Sequence, residues 1–278
     1  MRLKLLKFLL GFLLFGLLTV LTQIGGLVFL ISILIYGLIE EQFHNRLIRI
    51  MIKVLSFTTL YLSFVFVVVP LVAKQFGRVP LPLTKSSNVR PANIWTALLN
   101  RNYVRPELKQ ATFEVANKMN KKYPGTVLNY LDANFPFIDK FPLAPHLSHN
   151  DGNKLDVSFH YIDAKTGKYS DKVPSWIGYG VCEGPKPDEF DRPAECAQKG
   201  YWQYSILYRN ISQRNKDKYP FDSKRTKDLV NFYAANKAIG KILIETHLKT
   251  RLKLSSNKLR LHGCNAVRHD DHIHVQLK

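Results

Sequence analysis

Two long apolar blocks open the chain and are its strongest pattern. The block Leu5–Ile39 carries Lys7 as its only charged residue, and the block Val54–Ala73 carries none. Blocks of this length exceed what a buried helix of a soluble domain needs and match the thickness of a bilayer. We therefore predict a membrane anchor over residues 1–73. A cleaved signal peptide is the alternative, but it has one short apolar region, whereas here a second block follows a charged loop.

The first block is long for one membrane crossing and short for two. If it forms a hairpin that turns near Gln23, Gly25 and Gly26, two basic clusters lie on the same side of the membrane. These clusters are Arg2, Lys4 and Lys7, and Arg46, Arg49 and Lys53. Because cytoplasmic segments carry an excess of basic residues, three spans then place the C-terminal part outside the cytoplasm. A single tilted crossing leaves two spans in total and a cytoplasmic domain; we favour three.

The pattern after the anchor predicts a linker and then a small domain of helices and strands. Residues 74–92, which include Ser86 and Ser87, are polar and proline-rich, as is typical of an extended linker. The folded domain then covers residues 93–278. A helix is predicted over Pro106–Lys122, where apolar residues recur at helical spacing. A longer helix is predicted from Ser223 to Leu248.

Short segments with strand-like patterns lie between and after these helices. They are Thr126–Leu131, Lys154–Tyr161, Tyr201–Tyr208, Lys258–His262 and His272–Leu277. In the second segment, apolar residues alternate with Asp156, Ser158 and His160, so these three share one face. Residues 162–199 have no periodicity, which predicts a loop that is either functional or mobile. We expect an α+β domain built on a small antiparallel sheet with flanking helices.

Charge and cysteine content add two constraints. The formal net charge is +19, and most of the excess lies beyond the anchor. Such a charge attracts polyanions such as nucleic acid, anionic lipid or acidic wall polymers. It does not indicate which of these the protein binds. Cys182 and Cys196 lie 14 residues apart in the predicted loop, and a disulfide between them requires an oxidising compartment. Two unpaired thiols are the alternative, and Cys264 is left over.

Histidines carry the clearest chemical signal. Five of the nine fall into two short clusters, His146 with His149, and His269 with His272 and His274. Histidine is the commonest side-chain metal ligand, so clustering at ligand spacing outweighs any single position. Since His272 and His274 stand two residues apart on a predicted strand, both project from the same face.

His149, Asp156 and His274 form the predicted metal site. His149 lies in a loop with a turn-permitting Gly152, and Asp156 stands on the polar face of the strand that follows. Three such ligands leave the fourth position of a tetrahedral zinc open to water, which is the arrangement of a catalytic site. Zinc so placed lowers the pKa of water to about 7 and polarises a carbonyl group.

These motifs resemble those of the zinc peptidases that include lysostaphin, the D-alanyl-D-alanine metallopeptidases and the hedgehog signalling domain. Their shared pattern is a His followed seven residues later by Asp, with a distant His-x-His near the C-terminus. The likeness is closer to the penicillin-insensitive murein endopeptidases, because His146 and His269 match two further histidines of that branch. The match covers residues 146–156 and 269–276.

The resemblance implies a hedgehog-like fold and a zinc-dependent murein peptidase in a bacterial cytoplasmic membrane. Zinc is then bound by His149, Asp156 and His274. His272 acts as general base or transition-state stabiliser, with His146 and His269 in support. The expected activity is endopeptidase cleavage of cross-links between peptide stems of peptidoglycan, with the catalytic domain on the outer side. His269 stands where the carboxypeptidase branch has a Glu base, which favours the endopeptidase.

Other functions stay open. The domain is alternatively a D,D-carboxypeptidase, or a zinc-containing module that binds a wall polymer without catalysis. A cytoplasmic domain that binds nucleic acid is the less favoured alternative, and it requires a single crossing of the first apolar block.

Several single residues have both a functional and a structural interpretation. Trp176 and Trp202 are candidates for lining a substrate cleft, although tryptophans are more often core residues. Arg268 is a candidate for binding a substrate carboxylate, against the default of a solvated loop arginine. His160 is a candidate partner for the metal ligands. The histidines interpreted as structural are His44, His247 and His262.

Overall fold

The computed structural model describes residues 2–84, 88–144 and 146–278. The α-helices are α1 (Arg2–Thr22), α2 (Gly25–Gln42), α3 (Arg46–Ser63), α4 (Val69–Ala73), α5 (Trp95–Leu98), α6 (Pro106–Lys122), α7 (Arg192–Gln198), α8 (Ile206–Asn210), α9 (Ser223–Ala235) and α10 (Thr246–Arg251). A π-helical segment, Phe64–Val68, joins α3 to α4, and short 3₁₀ helices cover Lys74–Phe76, Trp202–Ser205 and Gln213–Asn215. The strands are β1 (Val79–Pro80), β2 (Val89–Pro91), β3 (Tyr103–Val104), β4 (Leu128–Tyr130), β5 (Lys154–Ser158), β6 (Tyr161–Ile162), β7 (Tyr169–Ser170), β8 (Ile239–Leu243), β9 (Leu259–Arg260) and β10 (His272–Leu277).

Three N-terminal helices are long and apolar enough to span a membrane. The candidate spans are Lys4–Thr22 with 19 residues, Gly25–Gln42 with 18 and Arg46–Phe76 with 31. The turn between the first two includes Gln23, whose φ is 67°. Close packing here excludes larger side chains, since a Cβ atom on Gly26 would lie 2.0 Å from the hydroxyl oxygen of Thr19. The first apolar block is therefore a hairpin, as the favoured three-span topology requires.

The helices pack directly on the domain that follows them. Ile24 and Val28 share a buried apolar cluster with Val69 of α4 and with Tyr103 of β3. Residues 74–92 differ from the predicted linker, because β1 pairs with β3 and β2 runs parallel to β4 at the edge of the main sheet. Proline is tolerated at such edges, so a proline-rich segment can still contribute short strands. Ser86 and Ser87 lie outside the described residues.

The main sheet has the strand order β2-β4-β5-β10-β8-β9. The four central strands pair antiparallel, as the predicted antiparallel sheet requires, but both outer pairs are parallel, so the sheet as a whole is mixed. One face packs on α6 and α9 in a common core that includes Leu108, Val115, Leu229, Ile273 and Val275. The helices therefore cover one face, and the opposite face of β5 and β10 carries the histidines.

Local sequence signals located some elements well. The prediction of a helix over Pro106–Lys122 is confirmed at both ends, as is the last strand, His272–Leu277. Three other predicted strands are shorter: the structure has Leu128–Tyr130 and Leu259–Arg260, and β5 ends at Ser158.

The prediction of one long helix from Ser223 to Leu248 is wrong. Asp222 rather than Ser223 caps α9, and its side chain accepts a hydrogen bond from the backbone N–H of Arg225. The helix ends at Ala235, and Asn236 forms a turn by accepting from the backbone N–H of Ala238. The isoleucine-rich segment that follows is β8, which pairs with β10. The spacing of the apolar residues in β8 also fits a helix, but the pairing of β8 with β10 buries these residues in a strand.

The predicted strand Tyr201–Tyr208 is also wrong. This segment is helical, with a 3₁₀ turn over Trp202–Ser205 followed by α8. Aromatic residues favour strands mainly by packing on neighbouring strands. No strand among the described residues pairs with this segment. The hydroxyl of Tyr204 instead donates a hydrogen bond to the carboxylate of Glu245.

The cysteines pair differently from the suggested Cys182–Cys196 bridge. The disulfide joins Cys196 of α7 to Cys264, 68 residues further along the chain. Cys182 is buried, and the other two cysteines are already joined to each other. A pairing across that distance depends on the fold, so the short Cys182–Cys196 spacing did not reveal it.

We predict that digestion of the full-length protein without reduction yields a cross-linked peptide pair that contains Cys196 and Cys264. Mass spectrometry identifies the pair. Cys182→Ser leaves it unchanged, whereas Cys264→Ser removes it. A peptide pair joining Cys182 to Cys196 would contradict the structure.

Candidate metal centre

The register between β10 and β5 brings a histidine and an aspartate face to face. His274 lies opposite Asp156 in the antiparallel pair, and His272 lies opposite Ser158. Residues opposed in this way have Cβ atoms about 5 Å apart, close enough for their side chains to meet. The Nδ1 atom of His274 is 2.9 Å from Oδ1 of Asp156. Ile273 and Val275 point into the core on the other face and are fully buried.

His149 reaches the same place from a loop. Its Nδ1 atom is 2.7 Å from the backbone carbonyl oxygen of Ala133. Because Nδ1–H donates to that carbonyl, Nε2 is left with a lone pair that can bind a cation. Nε2 is 3.0 Å from Nδ1 of His274 and 3.3 Å from Oδ1 of Asp156.

The three donor atoms of His149, Asp156 and His274 form a triangle with sides of 2.9, 3.0 and 3.3 Å. Ligand atoms about 2.0–2.1 Å from a tetrahedral zinc are separated from one another by about 3.3 Å. The donor set therefore fits three corners of such a site in both chemistry and spacing.

His146 adds a fourth candidate donor. His146, His149 and Asp156 have donor atoms within 4.8 Å of one another, and this group can hold a metal ion. Nδ1 of His146 is 3.2 Å from Asp156 and 3.3 Å from Asp132, yet neither ring nitrogen makes a hydrogen bond to a described residue. The two possible ligand sets share His149 and Asp156. The shorter separations favour His274 over His146 as the third ligand.

His272 is held by the residue before it. Nδ1 donates to the carboxylate of Asp271, whose other oxygen accepts from the backbone N–H of Gly180. Nε2 is left facing the site, 3.7 Å from Oδ2 of Asp156. Burial opposes a charge on this imidazole, but the carboxylates of Asp271 and Asp156 outweigh it and raise the pKa of His272 to about 9.

Asp156 is the buried centre of this network. Burial disfavours its charge, but the neighbouring His149, His272 and His146 outweigh burial and hold its pKa well below the ordinary value. The hydroxyl of Tyr179 donates to Oδ2 of Asp156 and accepts from the backbone N–H of Asp132, both at 2.9 Å. The site therefore keeps an ionised carboxylate that can bind a cation.

His269 lies behind His272 rather than among the donor atoms. The centroids of these two rings are 4.8 Å apart, and Nδ1 of His269 is 3.3 Å from Nε2 of His262. Glu245, fully buried, accepts from the backbone N–H of His269 and lies 3.3 Å from His262. His262, interpreted above as structural, thus contacts the histidine cluster through His269.

A cleft of about 410 Å³ adjoins the site. Its lining includes Asp132, His146, Tyr179 and Arg101. Of the two tryptophans named above as candidates, Trp176 lines this cleft and Trp202 does not. Nη1 of Arg101 is 3.4 Å from Asp132, which places a guanidinium at the inner end of the cleft.

The remaining single-residue predictions divide as follows. Arg268 is not a solvated loop residue, because it is buried and forms a two-pronged ion pair with Asp270, which leaves it poorly placed for a substrate carboxylate. His160 packs against Tyr169 beyond the end of β5 and does not contact the donor atoms described above. His247 is buried and bonded to the backbone of Glu183, consistent with a structural role.

Three residues of the site were missed by sequence reasoning: Asp132, Tyr179 and Asp271. Only Asp271 carried a local signal, since it precedes His272 directly in an acidic and histidine-rich run. Asp132 and Tyr179 are distant in sequence from both histidine clusters, and only the fold shows that they meet Asp156.

Comparison with protein-family models and with curated proteins finds no match for this chain. The structure itself shows a mixed helix-and-sheet chain with three candidate membrane helices. It also shows a buried histidine and aspartate group that can hold a metal ion.

We predict that the full-length protein in detergent binds zinc and that His149→Ala, Asp156→Ala and His274→Ala each lower its affinity by more than about 100-fold. Loss of a supporting residue typically costs about 10- to 100-fold, and loss of a direct ligand costs more. Titration against a competing chelator measures the affinity. His146→Ala is expected to have a smaller effect.

His160→Ala is the matched control, because His160 is buried near the same strand but lies away from the donor atoms. It should retain zinc affinity within a few-fold of the unchanged protein. Equal losses for His160→Ala and His274→Ala would contradict the assignment of His274 as a ligand.

Proposed function

We propose that this chain is a membrane-anchored zinc peptidase that hydrolyses peptide cross-links of bacterial peptidoglycan. The observation that carries the proposal is the triangle of donor atoms from His149, Asp156 and His274, with Nε2 of His272 directed at the same place. Zinc is the favoured ion, because imidazole and carboxylate donors at tetrahedral spacing suit it.

The arrangement supports catalysis as well as binding. A zinc ion held by His149, Asp156 and His274 would activate a water near neutral pH and polarise the scissile carbonyl. Asp271 fixes the tautomer of His272, so Nε2 is the atom that exchanges a proton with the reacting groups. With a pKa of about 9, His272 is an imidazolium at neutral pH, and it would supply the proton that the leaving amine needs. Its imidazolium form donates a hydrogen bond to the developing oxyanion.

Support for the substrate class comes from the resemblance to murein endopeptidases. All six matching residues lie in one buried region: His146, His149, Asp156, His269, His272 and His274. A hedgehog-like fold is part of this proposal, and the helix-backed sheet with the site on its open face is compatible with it.

Charge distribution supports an orientation with the domain outside the cytoplasm. Lys4 and Lys7 begin α1, and Arg46, Arg49 and Lys53 lie in the first turns of α3. The turn at Gln23 and the domain lie at the opposite ends of these helices. Since basic residues favour the cytoplasmic side, the domain is assigned to the outer side of the cytoplasmic membrane.

One observation favours the carboxypeptidase alternative. Arg101 lines the cleft beside Asp132 and His146, and a guanidinium there can bind the free carboxylate of a C-terminal residue. The products distinguish the two activities, because an endopeptidase splits cross-linked dimers and a carboxypeptidase releases D-alanine.

We predict that the zinc-loaded full-length protein splits cross-linked dimers in purified wall fragments, and that His272→Ala lowers kcat by about 100- to 10,000-fold. Asp271→Asn should also lower kcat, because the amide no longer fixes the His272 tautomer. Mass spectrometry of the fragments gives the rate, and a parallel titration checks that zinc affinity is retained.

His44→Ala, an exposed histidine in the α2–α3 loop, is the control and should leave the rate unchanged. Wall binding without turnover in the unchanged protein, unaffected by His272→Ala, would identify a non-catalytic binding module instead. Retention of turnover by His272→Ala would contradict its proposed role.

A further inference from the structure

The cleft beside the candidate metal centre has two chemically different ends. Near the donor atoms it is lined by polar groups, among them Asp132 and the hydroxyl of Tyr179. The rest of the lining is largely apolar and includes Trp95, Leu99, Trp176, Ile177 and Leu207. A cleft of this composition accepts an apolar chain next to the group on which the chemistry takes place.

The lengths of α1 and α2 fix where the hairpin turn lies relative to a bilayer. The two candidate spans have 19 and 18 residues. At 1.5 Å per residue, each covers about 28 Å, close to the roughly 30 Å hydrocarbon core. The turn at Gln23 and Ile24 therefore lies at the outer boundary of the hydrocarbon, and does not project far into water.

The domain is bonded to this turn. The side-chain oxygen of Gln23 accepts from the backbone N–H of Phe137 at 2.8 Å, and the amide of Asn100 donates to the carbonyl oxygen of Thr22 at 3.3 Å. The hydroxyl of Tyr61, on α3, donates to the carbonyl oxygen of Leu98 at the end of α5. These bonds place α5, which forms one wall of the cleft, at the membrane boundary.

Exposed apolar side chains lie on the same part of the domain. Ile94 and Trp95 at the start of α5 are 57% and 48% exposed, and Ile138, whose carbonyl oxygen contacts Gln23, is 56% exposed. Trp176, which also lines the cleft, is 70% exposed. Tryptophan is favoured at the headgroup level of a bilayer. A cleft mouth that faces lipid therefore accounts for the exposure of these four apolar side chains.

We propose that the cleft receives a peptide that is itself anchored in the membrane by an acyl or isoprenoid chain. The start of the anchor lies between Trp95 and Trp176 at the lipid boundary, and the peptide extends inward past His146 to the donor atoms. This inference rests on the proposed peptidase function for the bond that is cleaved. The placement of the cleft at the lipid boundary does not depend on that function.

The first test measures the membrane contact without requiring catalysis. The chain has three tryptophans, so the double variant Trp176→Phe/Trp202→Phe leaves only Trp95, and Trp95→Phe/Trp176→Phe leaves only Trp202. Each full-length variant is reconstituted into phosphatidylcholine vesicles that contain lipid brominated near the headgroup. Fluorescence from Trp95 should be quenched and that from Trp202, which is not part of the cleft lining, should not. An unquenched Trp95 would overturn the proposal.

The second test measures substrate preference in vesicles. The probes are one synthetic cross-linked dimer of stem peptides, called the stem peptide below, with and without an acyl chain, and an acylated peptide of unrelated L-sequence. The acylated stem peptide should be cleaved with about tenfold or greater kcat/KM than the soluble one, because burial of two methylene groups alone contributes such a factor. Trp95→Ala and Trp176→Ala should remove most of this preference, whereas Trp202→Ala should not.

Failure of this inference and failure of the proposed function give different results. Equal rates for the acylated and soluble stem peptides would overturn the inference and leave the peptidase intact. Cleavage of the acylated unrelated peptide but not of either stem peptide would support the inference, identify lipid-modified proteins as the source of substrate, and reject peptidoglycan.

Discussion

The pairing of β10 with β5 is the interaction on which the site depends. It sets His274 opposite Asp156 and leaves His272 two residues away on the same face. A shift of one residue in this register would turn both histidines into the core and Ile273 and Val275 out of it. Because Ile273 and Val275 are fully buried against α6 and α9, the apolar core holds the register and thereby the donor atoms.

Concentrating ionisable groups in a buried place is costly unless each has a partner. Here the partners come from outside the β5–β10 pair. The carbonyl oxygen of Ala133 orients His149, Asp271 orients His272, and Tyr179 donates to Asp156. These contacts fix the direction of each ring and carboxylate, so the protein itself directs the three donor atoms toward one point. Preorganisation of this kind is what a catalytic metal site requires.

Sequence-based prediction succeeded for elements that have strong local signals. It failed for segments whose secondary structure is determined by tertiary contacts. The helix Pro106–Lys122 has a proline at its first position, a regular apolar stripe and a Pro-Gly stop, so both ends were found. Ile239, Ile242 and Leu243 fit a helical stripe equally well, and only pairing with β10 makes them a strand. The disulfide and the parallel edges of the sheet likewise depend on segments that are distant along the chain.

The site residues likewise divide into those with a local sequence signal and those that only the fold brings together. The spacing of His149 and Asp156, and of His272 and His274, follows from one loop and two strands, so these side chains could be predicted to meet. The contributions of Asp132 and Tyr179 could not, because neither belongs to a recognisable motif. Their contacts with Asp156 and His146 arise from the path of the chain beside β4 and through the segment between β7 and α7.

X-ray absorption at the zinc edge of the zinc-loaded full-length protein tests the central claim most directly. The account predicts a four-coordinate ion with scattering from two imidazole rings and with oxygen ligands at about 2.0–2.2 Å, and one imidazole fewer in His274→Ala. A six-coordinate shell of oxygen atoms, or a spectrum unchanged by His274→Ala, would contradict it.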